Sequence, residues 1–398
     1  MDIIIKPSKL KGTITAIPSK SQAHRVLICS VFSDRPTKII CPSTSLDIEA
    51  TVGCLTQLGA NIQRTEDGYL VIPIAEIPSS VQLDCQESGS TFRFLLPVVA
   101  AKGITTVFHL SGRLAERPIL PLWELLEANG CRLSRPSSDS IRCEGKLRPS
   151  DYTLTGDISS QFVSGLLFAC ALMEGTSRIH ITGNVQSKPY IRMTQSVLER
   201  YGVNCTEMII TGRNQLTSPR HWVVEGDWSN AAFFLAANTL GSTINIENLP
   251  YQSCQGDQKI IDLLHALENQ CTISAADIPD LIPILSLVAS YHNGTTFVNT
   301  ARLRFKESDR VDAIVSMLNS LGCRAEGREN QIIVYPAIIN GGTVNTFNDH
   351  RIAMTAAIAA TVAKNPVTIL NAQCVEKSYP GFWDDYRTLG GNYEQYIR

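Results

Sequence analysis

The chain has 398 residues, enough for two or three domains with sizeable cores. It is 44% hydrophobic and 18% charged, which excludes a disordered, collagen-like or coiled-coil chain. Lys plus Arg number 35 against 37 Asp plus Glu, a net charge of −2, so no general basic surface exists to grip nucleic acid.

The first words, MDIIIKPSKLKG, predict a short strand over residues 3–7 rather than a secretory signal. That strand could pair within either half of the molecule. Longer helical patterns follow at residues 45–58, 160–173, 309–321 and 350–363, near strand-like text such as TTVFHL, SRIHIT, TTFVNT and PVTIL. Strands alternating with helices predict an α/β architecture. The apolar stretch 162–173 falls short of the ~18 residues that suggest a membrane span, so no membrane partner is expected and a soluble, cytoplasmic chain is. The 12 cysteines include no CxxC pair. Zinc-ribbon spacing is therefore missing, and scattered reduced thiols are expected.

An apolar pattern ending in Gly, followed by a polar strand, recurs along the whole chain. It ends at Gly59, Gly130, Gly202, Gly322 and Gly390, with a weaker copy near Asn269, at spacings of 71, 72, 67, 53 and 68 residues. Gly after a helix enters the left-handed conformation without a Cβ penalty. Five such caps at near-even intervals predict six copies of one α/β unit. Six units divide into two similar lobes of three, with the division near residues 224–229 and the site expected in the cleft between lobes.

The polar words that carry chemistry sit at helix starts. Residues 18–25, PSKSQAHR, place two cations and a hydroxyl where backbone N–H groups and the helix dipole favour an anion. Residues 87–93, ESGSTFR, put small residues where a ligand can approach the backbone. Ser159-Ser160-Gln161 and Ser187-Lys188-Pro189-Tyr190 are further anion-friendly starts, and each could equally be an ordinary cap. The second half adds carboxylates beside cations: Asp280 in DIPD, Lys306 to Arg310 in KESDR, Asp349-His350-Arg351, and Lys377. Taken structurally, Lys306 to Arg310 is a solvated set of ion pairs worth little; taken chemically, it offers proton transfer next to an anion site.

In order, the words PSKSQAHR, ESGSTFRFLLP, ERPILPL, SSQFVSGLL, SKPYI, EGDWSNAAFFL, DIPDLIPIL, RFKESDR, NDHRIAM and CVEKSYPGF cover residues 18–382. With them the chain resembles the 5-enolpyruvylshikimate-3-phosphate synthases of the enolpyruvyl transferase family. The resemblance implies two lobes of three βαβαββ-like repeats each, an inside-out α/β barrel with helices inward. The N-terminal lobe would span residues 16–227, and the C-terminal lobe residues 228–398 closed by residues 1–15. It implies transfer of the enolpyruvyl group of phosphoenolpyruvate to the 5-hydroxyl of shikimate 3-phosphate, with no metal and no cofactor, by a monomer. It implies that glyphosate, a mimic of phosphoenolpyruvate placed against Gly89, competes with that substrate, with the degree of sensitivity left open by Glu87 next door.

On the same resemblance, Lys20, Ser21, Arg25, Ser159, Ser160, Gln161, Ser187, Tyr190, Asp280 and Lys306 would bind shikimate 3-phosphate. Lys20, Gly89, Arg117, Gln161, Arg310, Arg351 and Lys377 would bind phosphoenolpyruvate. Asp280 is the expected base on the 5-hydroxyl. Glu307 and Lys20 are expected at the methylene and the departing phosphate, with His350 nearby. Two positions depart from the family's usual Asn: Glu87 and Arg302. That exchange would place a new ion pair at the mouth of the site. Two relatives of the fold compete. The UDP-N-acetylglucosamine enolpyruvyl transferases carry a reactive Cys in a first-lobe loop, whereas residues 112–121 here read GRLAERPILP. The RNA 3′-phosphate cyclases would want a basic stripe.

Overall fold

The structure, a computed structural model, describes residues 1–396. The chain forms two compact units: Pro18–Glu225, and Met1–Ile17 joined with the segment from Gly226 onward. Each has its own core.

Pro18–Glu225 contains three sheets built alike. In the second, Ser80–Asp84 runs parallel to Thr105–His109, which pairs antiparallel with Ser140–Gly145 and through it with Cys131–Ser134. The third starts with the parallel pair Asp151–Thr155 and Gly175–Thr182, followed by antiparallel Ile209–Gly212. The first repeats the pattern with Thr37–Ile40, Gly68–Ile72 and Asn61–Thr65, but takes its parallel partner, His221–Val223, from the end of the unit. A parallel pair needs a crossover, and helices supply it. Gly89–Lys102 and Ser160–Ala171 make two of these crossings.

These two helices are buried on nearly every side, as their largely apolar text requires. Between them Phe94 and Phe168 meet edge to face at 5.5 Å. Their approach depends on a pair of special residues. Pro97 has no N–H, so the Arg93 carbonyl one turn earlier loses its helical partner. Gly165 packs there, and a Cβ on it would run into that carbonyl oxygen. Strands, in contrast, alternate buried and exposed residues, as in Cys131–Ser134. Helices inside and sheets outside is the arrangement expected.

The other unit has the same plan. Lys11–Thr15 pairs in parallel with Thr243–Glu247. Cys271–Ser274 and Thr295–Val298 form a parallel pair continued antiparallel by Gln331–Val334 and Ala325–Gly327. Gly342–Asn345 and Val367–Leu370 form the last. There the N-terminal strand Asp2–Lys6 lies between Val367–Leu370 and Asn392–Tyr396, with Ile3 opposite both Ile369 and Gln395. Six sheets, each containing one parallel pair, correspond to the six repeats. The five punctuating glycines all have positive φ, from 82° at Gly202 to 104° at Gly59, whereas Asn269 does not share it. Helix ends differ from expectation by a residue or a turn. Ser45 caps Leu46–Gln57 rather than starting it, and the last long helix stops at Ala359 rather than residue 363. All twelve cysteines are free thiols, ten of them buried. Among the described residues, no helix is long and apolar enough to cross a membrane.

Candidate active site

In Pro18–Glu225, PSKSQAHR opens the helix Lys20–Val31, with Ser19 as the cap whose Oγ accepts from the Gln22 amide. Arg25, 2% exposed, draws three segments together. Its Nε donates to Thr194 Oγ1 at 2.8 Å, Nη1 to the Ser21 carbonyl at 2.6 Å and Nη2 to the Tyr190 carbonyl at 3.0 Å. Lys20 donates to Asp47 Oδ2 at 2.6 Å, a carboxylate the sequence did not single out. His24, between them, is buried. Burial, with Lys20 and Arg25 nearby, holds its pKa well below the usual value, so it is neutral at pH 7. Its Nδ1 meets Thr51 Oγ1 at 2.7 Å, Thr51 meets Thr91 at 2.6 Å, and Thr91 Oγ1 donates to Ser88 Oγ at 2.7 Å. This chain of hydroxyls fixes one helix start against another.

That second start is Gly89–Lys102, capped by Ser88. A Cβ on Gly89 would lie 3.0 Å from Arg117 Nη1 and 3.6 Å from Arg93 Nη1, so both guanidinium groups crowd this glycine. Arg93 donates to Gln161 Oε1 at 2.8 Å and to the Pro118 carbonyl at 3.3 Å; Gln161 Nε2 donates to Ser90 Oγ at 2.9 Å. Gln161 follows Ser159, which caps Ser160–Ala171 by accepting from the Gln161 amide. Gly89, Arg117 and Gln161 therefore share one neighbourhood, joined by Arg93. Glu87 packs against Gly112, where a Cβ would stand 2.8 Å from its carboxyl carbon. Ser187 precedes Lys188–Arg200 in a left-handed conformation, φ 53°, and makes no side-chain capping bond. A non-glycine residue there is strained, by about 1–3 kcal/mol, which a plain cap would not need.

The other unit concentrates charge. Asp280 Oδ1 accepts from Arg310 Nη1 at 2.8 Å and lies 3.6 Å from Lys306 Nζ; its Oδ2 lies 3.3 Å from Arg351 Nη2. Arg310, fully buried, also bonds Glu307 Oε2 at 2.6 Å and Asp349 Oδ2 at 2.9 Å. Asp349 in turn accepts from Ser308 Oγ at 3.0 Å and caps the helix His350–Ala359. Lys377 Nζ donates to the Asn348 carbonyl at 2.9 Å, and His350 is buried at the first position of that helix. Burial alone would push the Asp280 carboxyl up, but Arg351, Lys306 and Arg310 together hold it well below the usual carboxylate range. Burial pulls Lys306 down to about 8, with Asp280 opposing and Arg310 and Arg302 reinforcing the fall. Burial also disfavours charged Arg310, yet Asp349, Glu307 and Asp280 raise its pKa above the ordinary value.

The solvated reading of Lys306 to Arg310 is thus corrected: Arg310 is buried, and its partners are carboxylates from three segments. Arg302 is buried too and donates from Nη2 to the Ala276 carbonyl at 2.9 Å. Sequence reasoning missed Arg93 and Asp47 as partners. It also missed Asp257, a buried carboxyl bonded by Ser229 Oγ. Arg93 had a signal, a cation inside an otherwise apolar helix; Asp257 had none. Among the described residues no three His, Cys, Asp or Glu side chains are grouped to hold a metal.

The family model for EPSP synthase (3-phosphoshikimate 1-carboxyvinyltransferase) matches residues 4–277 and 269–386. A protein of Clostridium botulinum named 3-phosphoshikimate 1-carboxyvinyltransferase is 39% identical over 98% of both chains. One of the same name from Clostridium perfringens is 40% identical over 98% of each. Among solved structures, an EPSP synthase of Acinetobacter baumannii superposes with a TM-score of 0.80 at 22% identity, covering 99% of both chains. Matched almost from end to end by that family, the chain belongs to the EPSP synthases.

Proposed function

We propose that this chain transfers the enolpyruvyl group of phosphoenolpyruvate to the 5-hydroxyl of shikimate 3-phosphate and releases phosphate. The observation that carries the reading is the half-buried carboxylate of Asp280 held among Lys306, Arg310 and Arg351. Both substrates are anionic, with a phosphate and a carboxylate each, and Arg suits such groups because its fork binds them bidentately.

The chemistry asks for balanced proton movements. The 5-hydroxyl gives up its proton as its oxygen bonds to the enol carbon, and the methylene carbon gains a proton. The methylene then returns a proton as the carbon–phosphate oxygen bond breaks, leaving the enol ether and free phosphate. Asp280 takes the hydroxyl proton. Alone it is a weak base, because three cations depress its pKa. Substrate anions that engage Arg351, Arg310 and Lys306 spread those charges elsewhere and raise the basicity of Asp280. Base strength is thus coupled to occupancy. Glu307 and Lys20 serve the methylene and the departing phosphate, and His350 lies beside this machinery. Lys20, Ser21, Arg25, Ser159, Ser160, Gln161, Ser187, Tyr190 and Lys306 hold shikimate 3-phosphate. Gly89, Arg117, Arg310, Arg351 and Lys377, with Lys20 and Gln161, hold phosphoenolpyruvate.

The test is phosphate release from phosphoenolpyruvate with shikimate 3-phosphate as acceptor and UDP-N-acetylglucosamine as control. Release with the first acceptor only is expected; release with the nucleotide sugar alone would overturn the reading. The enzyme is proposed to act in the cytoplasm as a monomer, which light scattering at working concentration checks.

A further inference from the structure

Behind Asp280 lies a carboxyl group with no role so far. Asp257 sits in the short segment Gly256–Lys259 and is 1% exposed. That segment is stapled to the start of the helix Trp228–Thr239. The Trp228 amide donates to Gln255 Oε1 at 3.1 Å, Gln255 Nε2 donates to the Gly226 carbonyl at 2.8 Å, and Ser229 Oγ donates to Asp257 Oδ2. The other oxygen, Oδ1, has no hydrogen-bond partner among the described residues. The staple continues toward the charged cluster. The Ser229 carbonyl accepts from Arg351 Nη1 at 3.3 Å, while Arg351 Nη2 lies 3.3 Å from Asp280 Oδ2. One serine therefore touches Asp257 with its hydroxyl and Arg351 with its carbonyl, and Arg351 touches Asp280.

We infer that Asp257 is a positioning residue for the proposed base: through Ser229 and Arg351, its charge state sets how much of the arginine's field falls on Asp280. The inference rests on the reaction proposed above. A buried carboxylate with one hydroxyl donor and an orphaned oxygen is costly, so the group prefers its neutral form. Burial raises its pKa to about 7, the negative charge of Asp280 adds to the rise, Arg351 and the Ser229 hydroxyl oppose it, and Asp227 adds a little. These neighbours come from several elements: Asp227 and Ser229 from the helix start, Asp280 from the turn before Ile282–Tyr291, and Arg351 from His350–Ala359, while Asp262 and His265 of the adjoining helix Ile260–Ala266 are exposed. On its own segment Lys259 is exposed. Asp257 is thus the buried carboxyl here poised to change charge near neutral pH. Once ionised, it offsets the positive field of Arg351 and repels Asp280's own charge. Both effects make Asp280 a stronger base, and both weaken the hold of Arg351 on an anionic substrate.

The pH dependence of turnover tests this on the intact enzyme, with phosphoenolpyruvate and shikimate 3-phosphate saturating. In the wild type, kcat should rise through an inflection between pH 6 and 8, and KM for phosphoenolpyruvate should rise over the same interval. Asp257→Asn cannot ionise. Its kcat should lack that inflection, fall about three- to tenfold below wild type at pH 8.5, and be accompanied by a lower KM for phosphoenolpyruvate. A merely structural lesion would instead lower kcat and raise KM. Ser229→Ala removes the one donor to the carboxylate among the described residues and should move the inflection to higher pH, which keeps the question answerable if Asp257→Asn does not fold. A wild-type kcat without an inflection in that range, or an unshifted inflection in either variant, overturns the inference. A wild type that releases no phosphate at any pH speaks instead against the proposed reaction.

Discussion

Replacing Asp280 by Asn tests the charged cluster most sharply, because the change preserves shape and removes one charge. In the structure its carboxylate faces Arg310, Lys306 and Arg351. Two consequences separate. Loss of general-base action costs ~10²–10⁴ in kcat. Loss of the anion leaves buried Arg310 and Arg351 and half-buried Lys306 with one carboxylate fewer, while Glu307 and Asp349 pair with Arg310. Breaking a buried pair costs ~3–5 kcal/mol, and the Asn carbonyl still accepts one hydrogen bond, so we expect about 3 kcal/mol. For a unit of this size that corresponds to a fall in Tm of roughly 6–12 °C. Inorganic phosphate supplies the missing anion, and at a hundredfold excess over its Kd it should restore about 2.7 kcal/mol. The assays are phosphate release, calorimetry with and without phosphate, and titration with shikimate 3-phosphate, whose Kd should move only slightly. Near-native kcat would hand the base role to Glu307, with Glu307→Gln as companion. A Tm that falls but does not respond to phosphate would refute the picture of cations sharing a counter-ion.

Gly89→Ala puts a methyl 3.0 Å from Arg117 Nη1. The guanidinium must give way, so KM for phosphoenolpyruvate should rise and competition by glyphosate should weaken while Tm holds; an unchanged KM and inhibition constant would place this glycine away from the substrate. Lys306, with its pKa pulled to about 8, should lose its proton as pH rises through that value. The Kd of shikimate 3-phosphate should then increase by about tenfold per pH unit above 8, seen by calorimetric titration, and Lys306→Met should bind weakly with no such dependence. Asp257 has a folded pKa raised to about 7 from an unfolded value near 3.9, so it binds more protons folded than unfolded. Its stabilising contribution is complete below pH 4 and lost as pH rises to 7, at up to about 1.4 kcal/mol per unit. Urea midpoints of Asp257→Asn should therefore gain on wild type across that window, and parallel curves would contradict its burial as a neutral acid.

Local features were legible in the sequence and distant ones were not. The glycines ending each repeat announce themselves because a left-handed cap depends on a few neighbouring residues. So does Ser159, whose word could be read as an ordinary cap and which does accept a capping amide. Ser187 fails as a cap because its own backbone is left-handed, which side-chain chemistry does not forecast. Arg310 looked solvated because its immediate neighbours are charged, yet its burial is decided by Asp280 and Asp349, 30 and 39 residues away. Asp257 was invisible for the same reason: GDQK is an unremarkable polar turn until three other elements close over it. The family resemblance supplied residue roles that local patterns alone could not.

The position of the N-terminal strand has a consequence for synthesis. Asp2–Lys6 lies in a sheet whose neighbours are Val367–Leu370 and Asn392–Tyr396. At ~5–20 residues per second, those neighbours leave the ribosome on the order of 20–80 s after it does. Meanwhile Pro18–Glu225, which contains every strand of its own three sheets, can complete itself. Asp2–Lys6 is thus paired long after it is made, an apolar Ile-Ile-Ile edge that must be kept from other strands until Val367–Leu370 and Asn392–Tyr396 arrive to receive it.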